Sequence, residues 1–360
     1  MANAFMVSTR KGWFLWQRGR KSSPWKITRS AFLGDPVTIA LHDKRDGTMY
    51  AALNLGHFGR HLHRSDDGGK KWKEVGAPSF PAEPGKADAP SVELLWALEA
   101  GGPSESGTLW AGTIPGGLFT TKNRGDTWQL NTALWNHPDR ARWSGGGYPN
   151  PGIHSICVDP RDARRVLLAV STGGVWITND AGRTWAVSGK GMRAEYSPPE
   201  QAYDPVTQDA HMLVQSPVNP DVLWVQHHNG IFGSKDGAKS WTEYKAKPSC
   251  FGFAVATHPQ KPDTAWFVPA VKDERRYPVD GKMVVTRTDD GGESFRVLSK
   301  GLPQKNAYHL IYRHGLDVDE TGDTLIMGST TGGLWVSGNG GKSWDTLSTD
   351  LPPIYAVKFA

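Results

Sequence analysis

An eight-residue motif recurs six times along this chain of 360 residues, and no other feature of the sequence restricts the fold as strongly. Each copy begins with Ser or Thr, has Asp or Asn third and Gly or Ala fifth, and ends with Trp or Phe. The copies are Ser65–Trp72, Thr121–Trp128, Thr178–Trp185, Ser234–Trp241, Thr288–Phe295 and Ser337–Trp344. Their aromatic ends lie 56, 57, 56, 54 and 49 residues apart. Such a period indicates a repeat architecture.

The units between the motifs predict the fold class. Each unit contains short runs rich in β-branched and aromatic residues, bounded by Gly, Pro, Asn and Asp, which is typical of strands. A further unit precedes the first motif, because Trp25 lies 47 residues before Trp72 in a strand-like segment without the Asp and Gly. Seven units of four strands predict an all-β protein, a single seven-bladed β-propeller spanning residues 1–360.

The two ends of the chain predict how the ring closes. The N-terminal unit begins with AFMVST, which corresponds to the second strand of the other units, and the C-terminal segment IYAVKFA resembles a first strand. We therefore expect the C-terminal strand to complete the first blade, which removes the open edges that promote aggregation.

The motif itself is predicted to be structural. The Asp side chain can accept bonds from backbone N–H groups, and Gly supplies a left-handed position, while the Trp packs between blades. A calcium loop also uses Asp-x-Asp-Gly, but the Glu expected at its twelfth position is absent. A catalytic group is needed once, so six copies favour a structural role.

Composition and termini narrow the classes of partner. The 41 Lys and Arg exceed the 36 Asp and Glu only slightly, without a clustered basic run, so nucleic acid is not an expected partner. Only Cys157 and Cys250 are present, which gives no disulfide framework and favours the cytoplasm. Arg10 and Lys11 interrupt the first apolar stretch, so we expect neither a signal peptide nor a membrane partner.

Long polar loops on the face opposite the motifs are the expected location of the functional site. The connections at 135–154 and 189–212 exceed what joining two blades requires, and such loops often carry function. Alignment of the first strands places His154 opposite His314, so both are expected to face the central channel. The predicted site residues are Glu195, His154 and His314 as catalytic groups and His57, Trp143, Arg193, His228, Arg276 and Arg313 as substrate-binding groups.

The motif resembles the Asp box, or BNR repeat, and the chain is similar to Asp-box propellers of the sialidase-like superfamily over essentially its full length. A closer resemblance is to bacterial single-propeller proteins labelled glycosyl hydrolase or exo-alpha-sialidase. The segments that carry it are Gly56–Gly59, Trp135–Pro138, Trp143, Gly145–Gly147, Arg193–Glu195, Phe251–Phe253, Asp273–Arg276 and Asp290. Ile114 departs from that family, which has Glu in the corresponding GTEPGGLF segment.

One functional hypothesis is a hydrolase of the glycosidase type, which uses two carboxyl groups. Glu195 is the predicted acid, Glu200, Asp209 and Glu274 compete as its partner, and the arginines are expected to bind a small polar or anionic substrate, with carbohydrate as one class. The resemblance does not extend to a true sialidase, because that family's Arg-Ile-Pro segment and Tyr-Glu pair are missing. The related xyloglucanases use two facing propellers.

The alternative hypothesis is a non-catalytic propeller that binds a ligand or a protein, similar in kind to the Asp-box assembly factor of photosystem II. The fold hosts both classes. Neither hypothesis includes a cofactor or a metal. His57, His61 and His63 lie at even spacing and are expected to face one side of a strand, but no carboxylate or Cys nearby is expected to complete a metal site.

Overall fold

A computed structural model describes residues 2–82 and 89–360 and contains seven four-stranded antiparallel sheets arranged in a ring. The strands are β1 (Ala4–Thr9), β2 (Gly12–Gln17), β3 (Lys26–Ala31), β4 (Val37–Asp43), β5 (Thr48–Asn54), β6 (Arg60–Ser65), β7 (Lys73–Val75), β8 (Leu94–Ala100), β9 (Leu109–Ile114), β10 (Leu118–Thr121), β11 (Gln129–Leu130), β12 (Ile153–Val158), β13 (Val166–Val170), β14 (Gly174–Thr178), β15 (Ala186–Ser188), β16 (Ala210–Gln215), β17 (Leu223–His227), β18 (Ile231–Ser234), β19 (Thr242–Tyr244), β20 (Gly252–Thr257), β21 (Ala265–Pro269), β22 (Val285–Thr288), β23 (Arg296–Leu298), β24 (Leu316–Val318), β25 (Leu325–Gly328), β26 (Leu334–Ser337), β27 (Asp345–Ser348) and β28 (Ile354–Phe359). The seven-bladed β-propeller predicted from the repeat is confirmed.

Helical structure in the described residues is limited to single turns in the connecting loops. One short α-helix, α1, covers Thr132–Trp135, and 3-10 turns cover Gly56–Phe58, Pro138–Arg142, Pro205–Thr207, Val279–Gly281 and Arg313–Gly315. None of these helices has the length and apolar character needed to cross a membrane.

The ring closes as the two ends of the sequence predict. The strand β28 pairs antiparallel with β1 in the order β28-β1-β2-β3, with Phe359 opposite Phe5 and Val357 opposite Val7. The other blades each use four consecutive strands. The hydrophobic core lies mainly between blades: Leu167 of the fourth blade, for example, belongs to the same cluster as Phe232 of the fifth.

The motif forms the turn between the third and fourth strands of a blade. In the fourth blade, the Thr178 hydroxyl donates to Asp180 Oδ1 at 2.7 Å and accepts from the backbone N–H of Gly182 at 2.9 Å. The same carboxylate oxygen accepts from the N–H groups of Arg183 and Thr184 at 3.0 and 2.9 Å. Gly182 has a φ of +82°, the left-handed conformation that glycine favours. The predicted structural role of the Asp is therefore confirmed at this turn.

The motif tryptophans contact the blade that precedes them. The indole N–H of Trp128 donates to the Gly76 carbonyl at 2.8 Å, and that of Trp241 donates to the Ser188 hydroxyl at 3.0 Å. These contacts confirm the prediction that the aromatic ring of the motif joins neighbouring blades.

The charge of the motif aspartate is expected to make stability depend on acidity. Bonds from the Thr184 side chain and backbone lower the pKa of Asp180 to about 2, so this carboxylate stabilises the fold above about pH 4 and loses that effect as pH falls towards 2. Asn occupies the same position at Asn123 and Asn339, where its Oδ1 also accepts a backbone N–H. Asp180→Asn should therefore fold, and its stability should fall less steeply with acid than that of the wild type.

Urea denaturation at pH 5, 4 and 3 tests this expectation. The matched control is Asn123→Asp, which adds a carboxylate to an equivalent turn and should make the loss of stability in acid steeper. Identical pH dependence in the wild type and both variants would show that the turn carboxylates are not linked to folding.

Strand direction assigns two faces to the ring. In an antiparallel blade, the first-to-second and third-to-fourth turns lie on one side, which we call the lower face and which carries the motifs. The remaining connections form the upper face.

A central channel of about 610 Å³ is lined by the inner strands and extends to first-turn residues such as Lys44 and Pro160 on the lower face. Another cavity of about 890 Å³ lies between the fourth and fifth blades, beside Ile177 and Asp236. The channel therefore extends towards the motif side, whereas the functional site is expected on the opposite face.

Candidate functional site

An aspartate and two histidines of the fifth blade meet on the upper face. Asp209 directly precedes β16, His211 lies within that strand, and His228 follows β17. Asp209 Oδ2 is 3.2 Å from His228 Nδ1 and 3.5 Å from His211 Nε2. Asp209 and His211 are buried, whereas the His228 side chain is 23% exposed. The group therefore reaches solvent through His228.

The His211 ring is held on two sides. Its Nδ1 lies 2.6 Å from the carbonyl oxygen of Gly252, which can only accept, so this nitrogen carries the proton. The ring also stacks on Phe253 with centroids 4.3 Å apart. Nε2, the other ring nitrogen, lies 3.5 Å from Asp209 Oδ2.

The Asp209 carboxylate is buried but ionised. Burial alone raises its pKa, but the charges and hydrogen bonds of His211 and His228 hold the pKa well below the ordinary value. Its Oδ1 has no hydrogen-bond partner among the described residues. A Cβ at Gly146 would lie 3.6 Å from both carboxylate oxygens but only 2.6 Å from Thr172 Oγ1, so the loop packs closely beside the carboxylate. Buried polar atoms without a partner are rare in native proteins and call for an explanation.

Arg313 is a buried cation on the same face. The residue is 9% exposed, and its Cζ lies 4.7 Å from the Trp96 ring and 5.4 Å from the Phe253 ring. Its side chain makes neither an ion pair nor a hydrogen bond with any residue that the structure describes, and its Nε is fully enclosed. Burial lowers the pKa of Arg313 to about 10, which still leaves the guanidinium charged at neutral pH. Three blades, through Trp96, Phe253 and Arg313, build this environment.

Arg276 provides a second, exposed cation. Its Cζ lies 5.4 Å from the Phe253 ring, and its Nε donates to Asp273 Oδ1 at 3.1 Å. Burial lowers the pKa of Arg276, but the bond to Asp273 outweighs this and raises it overall. Phe253 thus contacts both predicted arginines and also His211, which places the arginines beside the aspartate and the two histidines.

His154 and His314 lie at the upper end of the channel, as their alignment predicts. His314 Nε2 donates to the backbone carbonyl of His154 at 2.8 Å. Burial lowers the pKa of His154 well below its ordinary value and that of His314 to about 4, so both rings are neutral at pH 7. The His154 ring packs edge-on against Trp96 at 5.3 Å, which connects this pair to Arg313.

Glu195 lies beside the group, because its backbone N–H donates to Asn229 Oδ1, next to His228, at 3.1 Å, but its side chain has another partner. The Glu195 side chain is 56% exposed and pairs with Arg193 at 3.3 Å. Arg193 also pairs with Glu243 at 3.4 Å, on the outermost strand β19. A general-acid role for Glu195 stays a prediction, and this placement favours Asp209 as the carboxylate of the site. Of the other carboxylates named from sequence, Glu200 is exposed, and Glu274 pairs with Lys272 at 3.0 Å, although it is near enough to His228 to interact with its charge.

Two predicted binding residues lie apart from the group. His57 is exposed on the turn between β5 and β6, and its ring contacts Phe58. Trp143 is buried and packs against Trp176 with centroids 5.4 Å apart, so its ring fills the core of the fourth blade rather than a surface. Neither position contacts the aspartate or the two histidines.

His211 and Trp96 are not among the site residues predicted from the sequence. A signal for the first exists, because Asp209 and His211 are two residues apart at the start of a strand, and such side chains point to one face. No signal exists for Trp96, since its neighbour Arg313 comes from a blade more than 200 residues away in sequence.

Comparisons with known proteins support the fold. No protein-family model and no curated protein matches the chain. Among solved structures, an ancestral GH74 enzyme matches with a TM-score of 0.61 and 17% identity over 83% of this chain, which spans 36% of that enzyme. YCF48 bound to D1 peptide matches with a TM-score of 0.52 and 16% identity over 86% of this chain and 81% of its own. A candidate 6-phosphogluconolactonase from Bacteroides uniformis matches with a TM-score of 0.59 and 12% identity over 99% of both chains. The chain therefore shares its β-propeller fold with a glycoside hydrolase and with a peptide-bound protein, and similarity at this level does not choose between them.

Proposed function

We propose that the upper face binds a small anionic substrate through Arg313 and hydrolyses it beside Asp209. The observation that carries this proposal is the Arg313 guanidinium, buried without an ion pair or hydrogen bond among the described residues. A buried charge without a partner is costly, whereas an arginine that forms paired bonds to a carboxylate or phosphate is stabilised. Arg276 lies against the same Phe253 ring and would extend the recognition of negative charge.

The chemistry proposed for this site is hydrolysis assisted by Asp209. This carboxylate is ionised and accepts from His228 Nδ1 at 3.2 Å. Burial lowers the pKa of His228, but this bond raises the pKa by more. The partly exposed His228 can therefore take a proton from a water molecule that attacks the substrate, and it can return that proton to the leaving group. A glycosidase of the two-carboxylate type needs a second acidic group. Among the described residues near the cluster, Asp273 is bonded to Arg276 and is not free for that role. Sugar acids are the first substrate class that we propose. The arginines would bind the acid group, and the neighbouring aromatic rings would pack against the sugar ring.

We further propose that the chain is an Asp-box propeller of the sialidase-like type and that it resides in the cytoplasm. The first proposal is supported by six related turns, in which Ser or Thr, Asp or Asn and the backbone share one hydrogen-bond pattern. The second is supported by the two cysteines, which are both free.

Binding and hydrolysis can be tested with the same variants. Calorimetric titration with phosphate, acetate and glucuronate should detect binding of at least one anion to the wild type and none to Arg313→Gln. The matched control is Arg18→Gln, because Arg18 also lies over a tryptophan, Trp25, at 4.3 Å but donates to the Ala2 carbonyl. A panel of chromogenic esters, phosphates and glycosides should then show turnover that Asp209→Asn lowers. Anion binding that is equal in Arg313→Gln and the wild type would contradict the proposal.

A second candidate function is binding of a protein segment without catalysis. Exposed aromatic side chains on the upper face include Phe58 at 72%, Tyr308 at 64% and Tyr148 at 49%. The propeller neighbour YCF48 is described in complex with a peptide. Anion binding without turnover on the whole substrate panel would favour this alternative.

A further inference from the structure

We propose that Asp209, His211 and His228 form a binding site for one divalent transition-metal ion, with zinc as the best match. The inference rests on the proposed function in part, because it shares Asp209 and His228 with the hydrolytic site, but it does not use Arg313. With a metal bound, these two residues would act as ligands, and the coordinated water would take the place of the free one. The potential ligand atoms of the three residues all lie within 4.8 Å of one another. Groups around one ion at about 2.0–2.2 Å are separated by distances of this order.

The orientation of His211 is that of a ligand held by a second layer of contacts. Metal-binding histidines usually donate their other ring N–H to a carbonyl or carboxylate, which fixes the ring and its tautomer. His211 donates from Nδ1 to the Gly252 carbonyl at 2.6 Å, and its Nε2 lies 3.5 Å from Asp209 Oδ2. The stacking on Phe253 prevents the ring from turning away.

The carboxylate offers a coordination position that the protein leaves unused. Asp209 Oδ1 is enclosed and has no hydrogen-bond partner among the described residues, although the residue is only 4% exposed. A hydrogen-bond network without an ion satisfies Oδ2 through the histidines but leaves Oδ1 unexplained.

The donor set selects the class of metal. Two imidazole nitrogens and one carboxylate suit zinc and other first-row transition metals, whereas calcium and magnesium prefer sites made of oxygen ligands. Three protein ligands are typical of catalytic zinc sites, in which water or substrate takes the remaining position. A zinc ion here would supply a coordinated water molecule on the face where Arg313 and Arg276 are placed to hold an anion.

The test is direct metal titration of the whole protein after treatment with a chelator. Calorimetry with zinc chloride should show one tight site per chain, and cobalt(II) should give visible absorption bands of a bound ion. His228→Gln and Asp209→Asn should each weaken zinc binding at least tenfold. His228 is partly exposed, so its variant is expected to fold even if the buried Asp209→Asn does not, and circular dichroism checks both.

The matched control is His61→Gln. His61 Nδ1 lies 2.6 Å from Glu74, so this pair offers a histidine and a carboxylate but no third ligand, and its loss should leave tight zinc binding unchanged. Magnesium chloride should not compete for the site. Absence of a tight zinc site in the wild type, or equal zinc affinity in folded His228→Gln, overturns the inference. Zinc binding that persists in Arg313→Gln, together with loss of anion binding, separates the two sites.

Discussion

Replacement of Arg313 by methionine is expected to raise the melting temperature of the protein while it abolishes anion binding. The wild-type guanidinium is buried between Trp96 and Phe253. Its desolvation costs folding free energy, and no ion pair among the described residues offsets that cost. Replacing buried ionic groups with apolar side chains of similar volume stabilises proteins by about 1–4 kcal/mol in several cases. Removing a buried charge that pairs with a ligand costs about 2–5 kcal/mol of binding, or about 30-fold or more.

Two measurements check the Arg313→Met variant. Thermal or urea unfolding gives the change in stability, and calorimetry with the anion that the wild type binds gives the change in affinity. Arg18→Met serves as the control, because Arg18 is hydrogen-bonded and only half-buried, so its loss should not stabilise the fold. A lower melting temperature in Arg313→Met would show that the guanidinium is already well compensated in the free protein.

Trp241→Ala is expected to destabilise the protein by about 3–5 kcal/mol, the usual cost of truncating a large buried aromatic side chain. Trp241 is 4% exposed and belongs to the core shared by the fourth and fifth blades. The same change removes the donor to the Ser188 hydroxyl, which then loses one of its two partners. Urea denaturation at pH 7 measures the free energy of unfolding.

Two further variants identify which property of Trp241 accounts for the loss of stability. Trp241→Phe keeps an aromatic ring but removes the N–H, so its cost should be clearly smaller. Trp128→Ala should also cost less, because Trp128 occupies the same motif position but is only half-buried. Equal destabilisation by Trp241→Ala and Trp128→Ala would contradict the idea that burial sets the energy.

The fold could be predicted from sequence because the signals that specify it are local and repeated. Each motif contains, within eight residues, the hydroxyl, the acceptor and the glycine of one turn, as at Thr178, Asp180 and Gly182. Strand alternation and the fixed period then give the number of blades. The pairing of β28 with β1 could also be predicted. The N-terminal unit lacks a first strand, and the C-terminal segment resembles a first strand with no later strands to pair with.

The site was predictable only in part, because its environment is assembled from several blades. The sequence indicated Arg313, Arg276, His228 and Asp209, but not that Trp96 and Phe253 surround Arg313. Burial cannot be read from loop sequences: Trp143 fills the core, whereas Glu195 is exposed and paired with Arg193. Spacing along the chain gave no information on these contacts.

The pairing of β28 with β1 also has a consequence for how the protein is made. The two strands are 350 residues apart in sequence, between Ala4 and Ile354. At about 5–20 residues per second, a ribosome needs roughly 20–70 seconds to synthesise the partner of β1 after β1 itself. During that time the inner edge of the first blade has unpaired backbone groups, which is the state most open to wrong pairing with another chain. A chain truncated before residue 354 would therefore form an open ring, and we expect chaperones and proteases to act on it.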